Sequence, residues 1–160
     1  MAEKRNHILT KGQSINDYKV TFFLKKGSYA ETYRVIDLEV KTKLLKLFVY
    51  SKLHRTQFDQ IEVLKKIKHS NLVNYFDHGE VLLDGQKYGY AILDFISGET
   101  LADKLKREET INTYEVKDII SGVLNGLNYL HSLQDPIIHN DISNLNVMLD
   151  LSGKVAIPKI

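Results

Sequence analysis

Cysteine is absent from the sequence, which excludes disulfide bridges, thiolate zinc sites and a cysteine nucleophile. That absence suits a reducing compartment, and a cytoplasmic location is expected from it. Also missing is any apolar run approaching the roughly 18 residues that a membrane-spanning helix needs. The opening stretch, MAEKRNHILTKGQ, is polar and has no apolar core of a secretory signal. Neither sign of charge dominates: 22 Lys and Arg stand against 20 Asp and Glu, a formal net charge of +2. Such a balance argues against a nucleic-acid or membrane partner. The six histidines show no metal-ligand spacing. No stretch is repeated and none is of low complexity.

What is present is the material of a globular protein. Of 160 residues, 43% are hydrophobic and 26% charged, enough for a domain with its own core. The first part reads as strands. YKVTFFLKKG (Tyr18 to Gly27) is rich in β-branched and aromatic residues and stops at glycine. AETYRVIDL (Ala30 to Leu38) places Thr32, Arg34 and Ile36 on one face and Tyr33 and Val35 on the other. KTKLLKLFVY (Lys41 to Tyr50) is a third strand, and the three form an antiparallel meander. From Phe58 to Lys68, the residues Phe58, Ile61, Leu64 and Ile67 recur at helical spacing; Lys65, Lys66 and Lys68 form the wet side. Two further strands flank Asp84-Gly85, a hairpin signal. Residues 18–96 are thus expected to form a five-stranded antiparallel sheet with one helix near 52–68.

After Ser97 to Thr100 the texture changes, and a boundary is expected there. Leu101 to Lys106 reads as a short helix and Tyr114 to Leu133 as a long one. Val116, Ile119, Ile120, Val123, Leu124, Leu127 and Leu130 give the long helix an apolar stripe, read as its core face. Two short strands around Ser152-Gly153 close the chain. The fold class is α+β.

One stretch carries chemistry: IIHNDISNLNVML, with His139, Asp141 and Asn146. By themselves the three suit either a catalytic loop or a polar turn whose Asp and Asn make Asx-turns. Their context decides. HNDISNLN, LKKIKHSNLVNYFDHGE and AILDFISGETLADKL occur in the order in which the protein kinase family carries such blocks, and the chain resembles that family from about Tyr18 onward.

The resemblance implies a kinase-like architecture: an N-terminal extension over 1–17, an N-lobe over 18–96 and part of a helical C-lobe over 97–160. It implies ATP and Mg²⁺ as cofactors, with an unidentified protein as substrate. The γ-phosphate would pass to a protein hydroxyl, of Ser or Thr. Phosphoryl transfer needs positioned phosphates, bound metal and an oriented hydroxyl. On this likeness Asp141 orients the attacking hydroxyl, Asn146 ligates Mg²⁺ and His139 braces the loop. Lys46 grips the α- and β-phosphates. LKKGSYAETYRV matches the phosphate-covering loop, with Lys25, Gly27 and Ser28 near the phosphates and Thr32 over adenine. Leu44 and Met148 also fall at nucleotide-contacting positions. Leu93, Asp94, Phe95 and Ile96 match the segment beside adenine, where the Asp94 carbonyl and Ile96 amide hold the purine edge.

Several positions depart from the family. Of the three loop glycines only Gly27 remains, with Lys25 and Ala30 in place of the others. Leu44 replaces a small residue and shares the strand face of Lys46, so it crowds the purine. Gln60 stands where a carboxylate should pair with Lys46. Glu62, about 200° around the helix from it, is poorly placed to substitute. Asn140 replaces the arginine before the aspartate, and Ser143 replaces a lysine. At about 18 residues past Asp141, where a metal-binding Asp-Phe-Gly is expected, stands Lys159. The chain therefore reads as a kinase fragment ending before that motif and inactive alone, with VAIPKI as an incomplete strand exposing an apolar edge. Two alternatives stand beside the kinase: a pseudokinase that binds nucleotide or scaffolds partners, and a small-molecule phosphotransferase.

Overall fold

A computed structural model describes residues 7–49, 61–107 and 110–160. They fall into two compact units, one drawn from Met1–Ile67 and Asn74–Phe95, the other from Lys68–Val73 and Ile96–Ile160.

The first unit is an antiparallel sheet of β1 (Ser14–Ile15), β2 (Tyr18–Lys26), β3 (Ala30–Ile36), β4 (Thr42–Val49), β5 (Tyr75–Leu83) and β6 (Gln86–Asp94), in the order β1-β2-β3-β4-β6-β5. The expected five strands are there, and the sheet has a sixth. β1 is only two residues long, too short to show a period, so the sequence pattern missed it. Alternation along the strands sends Val20, Tyr33, Val35, Leu45, Leu47, Tyr90 and Ile92 into one apolar core, which Leu9 and Ile15 complete from before Tyr18. Asp84 and Gly85 turn β5 into β6 with φ of +48° and +79°, the left-handed pair of a two-residue hairpin. Of the helix expected near 52–68, residues 61–64 are helical and the backbone then tightens into turns through Ile67. Phe58, Asp59 and Gln60 lie outside the described residues.

The second unit holds α1 (Leu101–Lys106), α2 (Thr113–His131) and a three-stranded sheet of β7 (Gly98–Thr100), β8 (Met148–Asp150) and β9 (Ile157–Lys159), in that order. Thr100 caps α1 and Asn112 caps α2, each side chain accepting an amide of the first turn. β7 was not foreseen. Gly98 permits it, because a Cβ there would lie 1.8 Å from the Leu149 carbonyl oxygen.

Two expectations are corrected here. The stripe on α2 is not uniformly core: Ile119, Gly122, Gly126 and Leu130 are buried, whereas Ile120 and Leu124 are more than half exposed. The glycines bring the helix onto Asn71 and Pro158, too close for any Cβ at 122. Nor is the last strand an open apolar edge. Ile160 accepts from the Val73 amide (2.9 Å) and donates its own amide to the Asn71 carbonyl (3.0 Å). The Asn71 amide donates to the Pro158 carbonyl at 2.9 Å, and Ile160 is buried. The segment Lys68–Val73 thus serves as the cover for β9.

Candidate functional site

In the first unit, strand register assembles the expected residues. Lys25 pairs with Thr32, Thr32 with Lys46, and Lys46 with Ala91, a single row across four strands. Directly opposed residues share a sheet face, so the row lies on the face away from the core formed by Tyr33, Leu45, Leu47 and Ile92. One step along, Leu44 sits between Arg34 and Leu93 on that same face. Lys46 is half-buried. Gly27 caps the β2–β3 hairpin, its amide bonding to the Ala30 carbonyl at 2.8 Å. A Cβ at 27 would be 3.3 Å from that oxygen, so glycine fits the turn with least crowding. Ser28 is exposed beside it. Asp94 ends β6; its amide donates to Asn74 O at 2.9 Å, and its carboxylate accepts from the Asn74 amide. Glu62 is engaged by Lys65 at 3.2 Å and His78 at 3.5 Å.

Sequence reading missed a polar cluster under this hairpin. Glu31 is 3% exposed, on the core face with Tyr33 and Val35. Its Oε2 accepts from the Ile8 amide at 2.7 Å and from the Tyr33 hydroxyl, whose oxygen accepts from the Leu9 amide at 3.0 Å. Lys26 Nζ stands 3.3 Å from Oε1. Burial pushes the Glu31 carboxyl up, but the hydrogen bonds from Ile8, Tyr33 and Lys26 outweigh it and hold it below the usual Glu value. Burial and the bond to Glu31 push the Tyr33 hydroxyl up. The signal was available: extending the alternation of Tyr33 and Val35 back by two residues lands on Glu31.

In the second unit, His139, Asp141 and Asn146 lie on one irregular loop between α2 and β8. Asn146 Nδ2 donates to Asp141 Oδ2 at 2.7 Å and to the Asp141 carbonyl at 3.1 Å. The Asp141 amide points to His139 Nδ1 at 3.4 Å. Asn140 has φ of +61°, a conformation asparagine adopts more readily than arginine or most other residues. The loop is fixed at its far end by the first turn of α1: Leu101 N bonds to Val147 O and Ala102 N to Asn144 O, both at 2.8 Å. Those amides have no partner within their own helix. Asp141 and Asn146 are exposed, Ile96 and Met148 half-buried, and Met148 opens β8 opposite Thr100 and Lys159.

Mg²⁺ takes hard oxygen ligands, keeps several waters and commonly uses only one or two side chains beside substrate phosphates. The Asn146 amide oxygen, whose nitrogen makes the 2.7 Å bond to Asp141, is one hard donor of that kind on an exposed loop. Among the described residues no three His, Asp or Glu side chains gather into a metal cluster.

Residues 18–160 match the protein kinase domain family. The chain is 28% identical over 152 residues to Serine/threonine-protein kinase 1 of Arabidopsis thaliana, covering 92% of this chain and 18% of that protein. It is 31% identical over 154 residues to the probable serine/threonine-protein kinase CCRP1 of Zea mays, covering 92% of this chain and 24% of that one. In structure it resembles the PknI kinase domain of Mycobacterium tuberculosis, with a TM-score of 0.78 at 22% identity over 94% of this chain and 62% of the other. It therefore spans less than a quarter of either curated relative.

Proposed function

The chain belongs to the protein kinase family, and from that premise we propose that it is the nucleotide-binding part of an ATP-dependent kinase acting on protein serine or threonine. The observation that carries this reading is the row Lys25–Thr32–Lys46–Ala91 on one sheet face, beneath a hairpin closed by Gly27. A lysine ammonium on that face suits the α- and β-phosphates. The hairpin suits their cover, because glycine lets backbone N–H groups approach an anion. Within the first unit, Leu44 and Leu93 supply apolar contact for adenine and the Asp94 carbonyl part of its polar edge.

In the chemistry, Asp141 holds the acceptor hydroxyl by its carboxylate and takes up its proton as the oxygen attacks the γ-phosphorus, while the bond from that phosphorus to the bridging oxygen breaks and ADP leaves with the electron pair. Asn146 would hold Mg²⁺ by its amide oxygen, since its nitrogen is already committed to Asp141. The metal, when bound, neutralises charge on the phosphate oxygens. His139 keeps the Asp141 backbone in place. A cytoplasmic location belongs to the same proposal; no helix among the described residues is long and apolar enough to cross a membrane.

One observation favours the pseudokinase as second reading. Leu44 lies between Arg34 and Leu93 on the face of Lys46, where a purine would need room. The test is titration of Mg-ATP into the natural protein carrying these residues. Saturable binding that Lys46→Met weakens by about tenfold or more supports the nucleotide site, as loss of a charged hydrogen bond would give. Unchanged affinity in Lys46→Met removes the lysine from the site, and no binding at all favours the scaffold.

A further inference from the structure

We propose that Glu31 is a positioning residue for the Gly27 hairpin, and that it makes the segment Ile8–Gln13 part of the nucleotide site without that segment touching nucleotide. This rests on the kinase reading above.

Lys26 and Glu31 are cross-strand partners at the neck of the hairpin. Between them lie Gly27 and Ala30, whose backbone bond closes the turn. The 3.3 Å pair of Lys26 and Glu31 therefore clamps the last register position before the phosphate-covering loop. The clamp itself hangs on the N-terminal segment. A buried carboxylate is tolerated only with donors around it. Those donors, both on Oε2, are the Ile8 amide and a Tyr33 hydroxyl that is oriented by the Leu9 amide, while Oε1 faces the Lys26 ammonium as an ion pair.

The segment has its own anchors. Leu9 is buried in the core, and Gly12 N to Val20 O and Val20 N to Gln13 O, both 2.8 Å, pin it to β2. Packing does not jam the carboxylate in place: a cavity of about 250 Å³, bordered by His7, Ile8, Lys26 and Glu31 among others, lies beside it. If the segment lifts, the carboxylate must turn to water, and the backbone one residue from Ala30 turns with it. Segment docking and hairpin shape are then a single equilibrium.

Hydrogen exchange at the Gly27 amide reads the hairpin directly, and Mg-ATP affinity reads its consequence. Glu31→Ala removes the clamp; Ile8→Pro removes one of its donors and changes no sheet residue. Each should speed Gly27 exchange and weaken Mg-ATP binding by roughly tenfold, the scale of a hydrogen bond to a charged group. The rate at saturating ATP should change little. Glu31→Gln keeps the two acceptor contacts without the charge and should fall between wild type and Glu31→Ala. Lys11→Ala, at an exposed position of the segment, should leave both readings at the wild-type value.

Wild-type Gly27 exchange in Glu31→Ala and Ile8→Pro overturns the inference, as does equal acceleration by Lys11→Ala. Should Glu31→Ala fail to fold, Ile8→Pro and Glu31→Gln decide on the same two readings. Weakened binding in Lys46→Met with normal binding in Glu31→Ala sinks the clamp and spares the kinase reading. Normal binding in Lys46→Met sinks the nucleotide site, while exchange at Gly27 still judges the clamp.

Discussion

The two units hold their polar residues in opposite ways. In the first, Lys25, Thr32 and Lys46 are fixed by strand register, and Glu31 is buried among donors. In the second, Asp141 and Asn146 sit exposed on an irregular loop whose shape rests on side-chain-to-backbone bonds and on the amides of α1. Register sets position without any help from the side chain itself. A loop needs its side chains to keep its shape, so the residues that act are also among those that hold it. In the first unit a lost polar group should cost stability, and in the second it should cost chemistry.

The largest expected effect tests the loop. Asp141→Asn should lower phosphate transfer by roughly 10²–10⁴-fold, the usual worth of a positioned base, while Mg-ATP affinity stays within a few-fold. Steady-state rates and a binding titration on the same preparation check this; a matching fall in urea stability would break the comparison. Tyr33→Phe tests the ladder. It strips Glu31 and the Leu9 amide of a buried partner and should cost about 1–3 kcal/mol in urea unfolding.

Acid separates the units further. The folded Glu31 carboxyl titrates below its ordinary value, so its contribution is complete above the usual Glu range and is lost as pH falls through the depressed value. The stability gap between wild type and Glu31→Gln, followed by urea unfolding from pH 7 downward, should narrow over that window. A gap that widens there would show that the sign is wrong. The smallest effect belongs to the outer face of α2. Leu124→Gln should move the melting transition by no more than about 0.5 kcal/mol, because Leu124 is 57% exposed.

Much of the first unit was legible because period-2 alternation and a left-handed Asp-Gly turn are local signals. The α1 bounds matched for the same reason, with Thr100 as cap. The catalytic loop could be named from His139, Asp141 and Asn146, but its internal bonds could not, since nothing local says that the Asn146 amide turns to Asp141. What escaped was set by distant partners. β1 and β7 are two and three residues long and exist only because β2 and β8 offer them an edge. Ile120 and Leu124 read as core because periodicity gives a stripe its width, while Gly122 and Gly126 decide which side makes the close approach. Asn71 gave no sign that it would hold Pro158.

That last contact bears on how the chain folds as it is made. Asn71 and Pro158 are 87 residues apart, and synthesis at ordinary speed takes roughly 5–15 s to cover such a distance. Residues 68–73 emerge early, between two stretches of the first unit, yet their β9 partners follow only some 87 residues later. The first unit can close its ladder while 68–73 wait, and bringing two such distant segments together carries a loop-closure cost that local contacts do not. For those seconds the Asn71 amide lacks the Pro158 carbonyl, and in a nascent chain halted before residue 157 the segment would have α2 to pack on but no β9 to pair with.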